Sequence, residues 1–324
     1  LKIYTDISRI QKIKNAVITV GTFDGLHIGH QKVIGEVVKS AKSIAGESVI
    51  ITFFPHPRKV VQPDFDLKLI ISRKEKMALF EKLGVDHLFC INFTKEFSNT
   101  TSEEFIQKYI VAPFKPARVV IGYDHHFGKD RKGDIGFLQE MGAKYDFEVE
   151  KIDMQDIDHT AVSSSKIREA IAAGDMQTAS KFLGYHFSIT GEVVKGNQLG
   201  RTIGFPTANV EPDEPEKIIP AYGVYAVLIK WKGKTLKGMS NIGVRPTLKV
   251  QKLTIEAHIF DFDEDIYGQE ISIVFLEHTR DEKKFHDLEL LRRRLIIDRI
   301  KVKNILAGER SQDYPPDDLS LQDD

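Results

Sequence analysis

The segment Gly21-Thr22-Phe23-Asp24-Gly25-Leu26-His27-Ile28-Gly29-His30 constrains the fold of this chain more than any other, because of what flanks it. Ahead of it, Ala16-Val17-Ile18-Thr19-Val20 is short, apolar and β-branched, as a buried parallel strand requires. Behind it, Val33, Ile34, Val37, Val38, Ala41 and Ile44 recur at helical spacing, and Gly46 closes the pattern. The glycine-rich segment is therefore a strand-to-helix turn, the position at which open α/β sheets bind ligands. Backbone N–H groups at the start of such a helix, at the positive end of its dipole, suit a phosphate. His27 and His30 share one helical face and can donate hydrogen bonds to a triphosphate as charge builds during transfer at phosphorus. Two other readings of the pair stand beside this one: a plain surface or core role, and a shared transition-metal ion. The metal ranks below phosphate, since the chain has one cysteine and no nearby helix offers an obvious third and fourth ligand.

From Ala16 to about Phe182 strand and helix signals alternate, the pattern of a parallel sheet with helices on its faces. Val49–Phe54, Val85–Ile91 and Arg118–Ile121 read as further strands, and Phe147–Ile152 as an edge strand. Thr101 with Glu104 forms a capping box ahead of a helix. Near Gly184 the grammar changes. Phe187–Val194, Val224–Trp231, Thr235–Met239, Leu253–Phe260 and Ile271–Phe275 read as closely spaced strands, with Lys232-Gly233 as a hairpin turn, which points to an all-β sandwich or barrel. A last helix carries Phe285, Leu288, Leu291, Leu295, Val302 and Ile305 or Leu306 on one side, and its Arg292-Arg293-Arg294 run reads as a solvated face rather than a basic patch. Residues 311–324, rich in Asp, Pro and Ser, are expected to form a disordered tail. The expected division is thus 1–184, 185–310 and the tail, and 324 residues suffice for two domains.

The balance of 46 basic against 47 acidic residues gives no electrostatic reason to expect nucleic acid as a partner. No apolar run has the length of a membrane span, and Cys90, alone and inside an apolar run, fits a buried inert thiol in a reducing compartment, the cytoplasm. Oligomeric state stays open, a homo-oligomer included.

Three more stretches of the first domain sit where a nucleotide site needs them. Phe54-Pro55-His56-Pro57 is a rigid turn that walls a flat ring or is a simple loop. Gly122-Tyr123-Asp124-His125-His126-Phe127-Gly128 sets a carboxylate and rings between glycines. Ser163-Ser164-Ser165-Lys166-Ile167-Arg168 puts hydroxyls at a helix start and a guanidinium one turn in, as anion ligands or as plain caps. In the second domain, Gly200-Arg201-Thr202-Ile203-Gly204-Phe205-Pro206-Thr207-Ala208-Asn209 is neither a Walker A loop nor a dinucleotide fingerprint. Gly196, Gly200 and Gly204 still let backbone wrap close to phosphates, and Thr207 and Asn209 offer oxygens to a hard cation such as Mg²⁺. Thr254–Phe260 alternates as a strand, placing Glu256 and His258 opposite Ile255 and Ala257, with Glu256 either a general base or a solvated carboxylate.

The Gly21–His30 string resembles the signature of the HIGH-type nucleotidyltransferases. Taken with the second-domain string and Glu256-Ala257-His258-Ile259-Phe260-Asp261-Phe262-Asp263, the whole order is similar to the prokaryotic bifunctional riboflavin kinase/FMN adenylyltransferases, from about Val17 to the last helix. The resemblance implies an α/β chain: a Rossmann-like nucleotidyltransferase domain on a parallel sheet, then an antiparallel β-barrel kinase domain with a terminal helix. It implies ATP, riboflavin, FMN and FAD as partners, the flavins being substrates and products rather than resident cofactors, and Mg²⁺ acting with ATP. On this resemblance His27, Gly29 and His30, with Gly21, Phe23 and Asp24 of the same loop, would hold ATP phosphates, and Asp124 would sit at the adenylylation site. Ser163, Ser164 and Arg168 would contact the triphosphate, and Phe54, Pro55 and Pro57 would lie beside the flavin. Gly200, Arg201, Thr202, Gly204 and Pro206 would form the kinase nucleotide loop, Thr207 and Asn209 would ligate Mg²⁺, and Glu256 would activate the ribityl 5′-hydroxyl. Two departures stand out: His125 where the family often has Phe, and Ser165 where Thr is common. Two rivals are a class I aminoacyl-tRNA synthetase and a flavin sensor without turnover. The neutral charge and absent Lys-Met-Ser-Lys-Ser loop argue against the first; the presence of Glu256, Thr207 and Asn209 argues against the second.

Overall fold

Two sheets of opposite construction carry the chain. The computed structural model describes residues 1–122, 127–129, 133–152, 156–157, 160–246 and 251–308, so Asp124, His125 and the expected tail 311–324 lie outside the described residues. One compact unit comprises Leu1–Leu67 and Arg73–Ser163; the other comprises Lys68–Ser72 and Ser164–Asp324.

The first unit runs β1 (Lys2–Tyr4), β2 (Val17–Val20), α1 (Ile28–Ser43), β3 (Ser48–Phe54), α2 (Pro57–Val61), α3 (Arg73–Lys82) and β4 (His87–Asn92). It continues with α4 (Ser102–Phe105), the wider turns of Ile106–Val111, α5 (Ala112–Phe114), β5 (Arg118–Gly122), α6 (Ile135–Tyr145) and β6 (Glu148–Ile152), then the short hairpin of β7 (Asp156–Ile157) and β8 (Thr160–Ala161). The six long-range strands lie in the order β1-β4-β3-β2-β5-β6, every pair parallel, so β6 is an edge as expected. All four residues of β2 are buried, which is why it reads as an unbroken apolar run. Ile18, Val20, Val49, Ile51, Phe89 and Ile91 pack on one side against Phe105, Ile106 and Ile110, and strand alternation turns Val17 and Ile50 toward the opposite side. The capping box holds: Thr101 and Glu104 bond each other's backbone N–H groups at the head of α4. The chain moves from β2 outward through β3 and β4, then crosses to β5 on the other side of β2. The carboxyl end of β2 is therefore the switch point of the sheet.

The second unit runs α7 (Ser164–Ala172), α8 (Met176–Leu183), β9 (Ser188–Val194), α9 (Leu199–Thr202), β10 (Ala208–Pro212), β11 (Gly223–Trp231), β12 (Lys234–Pro246), β13 (Gln251–Ile259), β14 (Glu270–Arg280) and α10 (Leu288–Gly308). The six strands close into a barrel in the order β10-β13-β12-β11-β14-β9, all antiparallel. Lys232 and Gly233 both have positive φ, +48° and +73°, the two-residue turn whose twist suits a hairpin. Phe187, Tyr225, Ile229, Ile273 and Phe275 are fully buried and fill the barrel. Ala226, Leu228, Met239, Val274 and Leu276 face outward instead, where Phe205 and the α10 residues Val302 and Leu306 cover them. Near the middle of α10, the buried Asp298 accepts from Arg280 Nε and Nη2 and from Arg294 Nε, at 2.6–3.0 Å, pinning the helix to the end of β14. Two details depart from expectation: Phe285 precedes α10 rather than lying on its face, and Leu288 is exposed. Arg292 and Arg293 do form a solvated face, each paired with Glu289.

Candidate active sites

In the first unit the turn after β2 is held in an unusual shape. Phe23, Gly25 and Leu26 have φ of +49°, +84° and +40°, although only glycine adopts that region freely. Burial of the two apolar side chains compels it, with the Phe23 ring edge-on to Phe80 and to His30. Gly21 lies directly under this ring; a Cβ there would come within 2.8 Å of it, so no side chain fits. Lys76 Nζ donates to the Thr22 carbonyl at 2.9 Å and Gln31 Nε2 to the Leu26 carbonyl at 2.7 Å, fixing the turn from two helices. Asp24 is buried in the same turn.

His27 is the N-cap of α1. Its Nδ1 accepts from the His30 backbone N–H at 3.4 Å, so its proton sits on Nε2. The His27 and His30 rings stack with centroids 3.6 Å apart, and a Cβ on Gly29 would come within 3.3 Å of the His27 ring. Burial, and then the charges of His27 and Lys76, push the His30 pKa well below the ordinary imidazole range. His30 is accordingly neutral, and its Nδ1 is buried with no hydrogen-bond partner among the described residues. A neutral His30, the His27 imidazole and the helix-start N–H groups stand together here, hydrogen-bonding equipment of the kind that suits an anion. At the end of β3, Phe54 is 42% exposed with the Arg73 guanidinium 5.1 Å from its ring centre. Pro55 follows, His56 caps α2 through Nδ1, and Pro57 is its first residue. Ser163 closes the first unit. Ser164 and Arg168 belong to α7 in the second, where Arg168 Nε donates to the Lys68 carbonyl at 2.8 Å.

The second unit holds a cavity of about 860 Å³ on the outer face of the barrel. Gly200, Thr207, Asn209, Glu256 and His258 all line it, which brings together the residues singled out from the glycine-rich string and from β13. Thr207 donates its hydroxyl to Glu256 Oε2 at 3.1 Å, and Asn209 stands opposite Glu256 in the β10–β13 ladder. Gly196 packs against the Asn209 carboxamide so closely that a Cβ would displace it. His258 donates from Nδ1 to the Pro206 carbonyl at 2.8 Å, and burial holds its pKa below the ordinary value. Arg201, Thr202, Gly204 and Pro206 fall outside the cavity lining; Thr202 instead bonds the Leu199 carbonyl within α9. Ile255 and Ala257 turn into the barrel, as alternation requires.

Sequence reasoning missed Asn241 and Arg280, which also line this cavity, and Lys76 in the first unit. Each reaches its site through a tertiary contact with no local pattern. Among the described residues no three His, Cys, Asp or Glu side chains are grouped as metal ligands, and no helix is long and apolar enough to cross a membrane.

A family model for FAD synthetase matches residues 9–166, and one for riboflavin kinase matches residues 183–306. The chain is 39% identical to the bifunctional riboflavin kinase/FMN adenylyltransferase of Listeria monocytogenes, over 85% of this chain and 87% of that protein. It is 32% identical to the protein of the same name from Escherichia coli K12, over 91% and 94%. A crystal structure described as a macrolide-efflux protein from Streptococcus pneumoniae has a TM-score of 0.84 at 30% identity, covering 93% of this chain and 98% of that one. With a glycine-rich turn at the switch point of one sheet, a Thr-Asn-Glu cavity on the other, and end-to-end kinship at this level, the chain belongs to the bifunctional riboflavin kinase/FMN adenylyltransferase family.

Proposed function

We propose that the chain makes FAD from riboflavin in two ATP-dependent steps, the barrel unit acting as riboflavin kinase and the parallel-sheet unit as FMN adenylyltransferase. The observation that carries the reading is the convergence of Thr207, Asn209 and Glu256 on one cavity wall. In the first step the ribityl 5′-oxygen of riboflavin attacks the γ-phosphorus of ATP while Glu256 takes its proton. The new O–P bond forms as the bond from the γ-phosphorus to the β–γ bridging oxygen breaks, and ADP leaves with that electron pair. Because Thr207 spends its proton on Glu256, its oxygen lone pairs are left to face a cation. Two neutral oxygens, Thr207 Oγ1 and Asn209 Oδ1, fit Mg²⁺, which takes few protein ligands and completes its shell with water and phosphate. Bound there with ATP, Mg²⁺ supplies charge neutralisation of the phosphates.

In the second step a phosphate oxygen of FMN attacks the α-phosphorus of another ATP, the bond to the departing pyrophosphate breaks, and FAD results. The nucleophile is already ionised, so the site needs donors rather than a strong base. His27 Nε2–H and the first N–H groups of α1 supply them in the first unit, with the neutral imidazole of His30 beside them. The exposed Phe54 ring supports a flavin wall at the end of β3. The proposed functional boundary at 184 leaves α7 and α8, which pack with the barrel unit, on the adenylyltransferase side in chain order. Work on dissolved ATP and vitamin fits the cytoplasm.

Incubation with riboflavin, ATP and Mg²⁺ followed by chromatography of the flavins tests the whole. Glu256→Gln, or Thr207→Ala with Asn209→Ala, should abolish FMN formation and spare FMN-to-FAD conversion. His27→Ala with His30→Ala should do the opposite. Loss of both activities in a folded variant of either class refutes the two-site assignment.

A further inference from the structure

Glu256 has a paired neighbour on each side. In the barrel ladder it stands opposite Asn209 of β10 and opposite Asn241 of β12. Directly paired strand residues project to one face with Cβ atoms about 4.5–5.5 Å apart, so the three side chains form a single row. All three line the cavity. The β10 end of this row is committed to the phosphate side: Thr207 bonds Glu256 there and Asn209 stands beside it. The β12 end is different. Asn241 is half-buried, and its carboxamide offers one acceptor and two donors, the equipment that reads an alcohol. Two residues further along β12 and on the same face is Gly243, against which the Glu282 carboxylate sits at the edge of the cavity.

A ribityl chain carries hydroxyls on successive carbons, and only the terminal one is to be phosphorylated. With that hydroxyl at Glu256 and the γ-phosphate toward β10, the chain must depart on the β12 side, past Asn241. We propose that Asn241 determines regiospecificity in the kinase step: it hydrogen-bonds the 4′-hydroxyl and so delivers the 5′-hydroxyl, rather than an internal one, to Glu256. The proposal deepens the riboflavin kinase reading and rests on it. The closed barrel keeps the row at fixed spacing, so Asn241 and Glu256 stay side by side to receive hydroxyls of adjacent carbons.

The test is a two-by-two comparison of kcat/KM for riboflavin and 4′-deoxyriboflavin with the intact protein and Asn241→Ala. Deleting the 4′-hydroxyl should cost the unaltered protein about tenfold, the order of one neutral hydrogen bond whose partner is left buried. Asn241→Ala should lose about as much with riboflavin and be indifferent to the missing hydroxyl. Asn241→Ser, which keeps a hydrogen-bonding group, should retain part of the discrimination; it carries the same comparison if the alanine variant fails to fold. Losses that multiply, or an unaltered protein that uses both substrates equally, overturn the proposal while leaving the kinase reading intact. An unaltered protein that cannot phosphorylate riboflavin removes both.

Discussion

Replacing Asp298 by alanine should cost the barrel unit about 4 kcal/mol, and the figure follows from the surroundings of one carboxylate. Asp298 is 1% exposed and accepts from Arg280 Nε at 3.0 Å to both oxygens and from Arg280 Nη2 at 2.6 Å, with Arg294 Nε at 3.0 Å. The Arg280 side chain is 15% exposed, so removing its partner strands a guanidinium in the interior; one-sided loss of such a pair costs about 3–5 kcal/mol. The Arg294 side chain is 38% exposed, and solvent screening limits its share to about 0.5 kcal/mol. The protein provides its own probe, because its single tryptophan, Trp231, is buried in β11 of the barrel. Tryptophan fluorescence in urea therefore follows this unit alone, avoiding the two-state assumption for the whole chain. With a slope of about 2 kcal/mol per molar urea, the midpoint should fall by about 2 M. Asp298→Asn, which keeps the shape and loses the charge, should fall by less. Because Leu291 and Leu295 of the same helix line the kinase cavity, riboflavin phosphorylation should fail at lower urea than FMN adenylylation in the variant. A midpoint shift under about 0.5 M with unchanged slope refutes the reasoning.

Two further outcomes are expected. Gly196→Ala pushes the Asn209 carboxamide out of place and should raise the Mg²⁺ concentration needed for half-maximal kinase activity by about tenfold with little change in urea midpoint; an unaltered Mg²⁺ dependence counts against Asn209 as a ligand. For His30, burial and neighbouring charge lower the pKa in the folded state, so below about pH 6.5 the unfolded chain binds a proton that the folded chain refuses. Stability contributed by this group is full above that pH and declines as pH falls toward the lower folded value, by up to about 1.4 kcal/mol per pH unit. His30→Gln should flatten the decline, read by far-ultraviolet circular dichroism in urea between pH 4.5 and 7.5, values that bracket the ordinary imidazole pKa. An identical slope in the variant excludes His30 as its source.

The parts of this molecule visible in the sequence are those whose cause is local. Val17–Val20 is buried on both faces, so its composition alone announces a central parallel strand. Thr101 and Glu104 satisfy each other three residues apart, and Lys232-Gly233 makes its turn from two adjacent φ values. The Thr207–Glu256 contact became legible only through resemblance, since the residues are 49 positions apart. β10 went unread because only Val210 among its five residues is buried and a proline ends it. Asn241 carries no signal at all in its own neighbourhood: its place beside Glu256 is a matter of strand register, decided by every pair in the β12–β13 ladder. The same holds for Arg280 and Asp298, 18 positions apart and joined by how α10 lies on the barrel.

The left-handed backbone of Phe23 and Leu26 has a consequence for the proposed ATP site. Each such residue costs about 1–2 kcal/mol, and here the cost is offset by burying two large side chains when the unit folds. On the proposed assignment of this turn to ATP, the main chain of the site is shaped by folding itself. Nucleotide affinity at the proposed site would then be in part a property of the unit's oily interior, open to tuning by core residues such as Phe80.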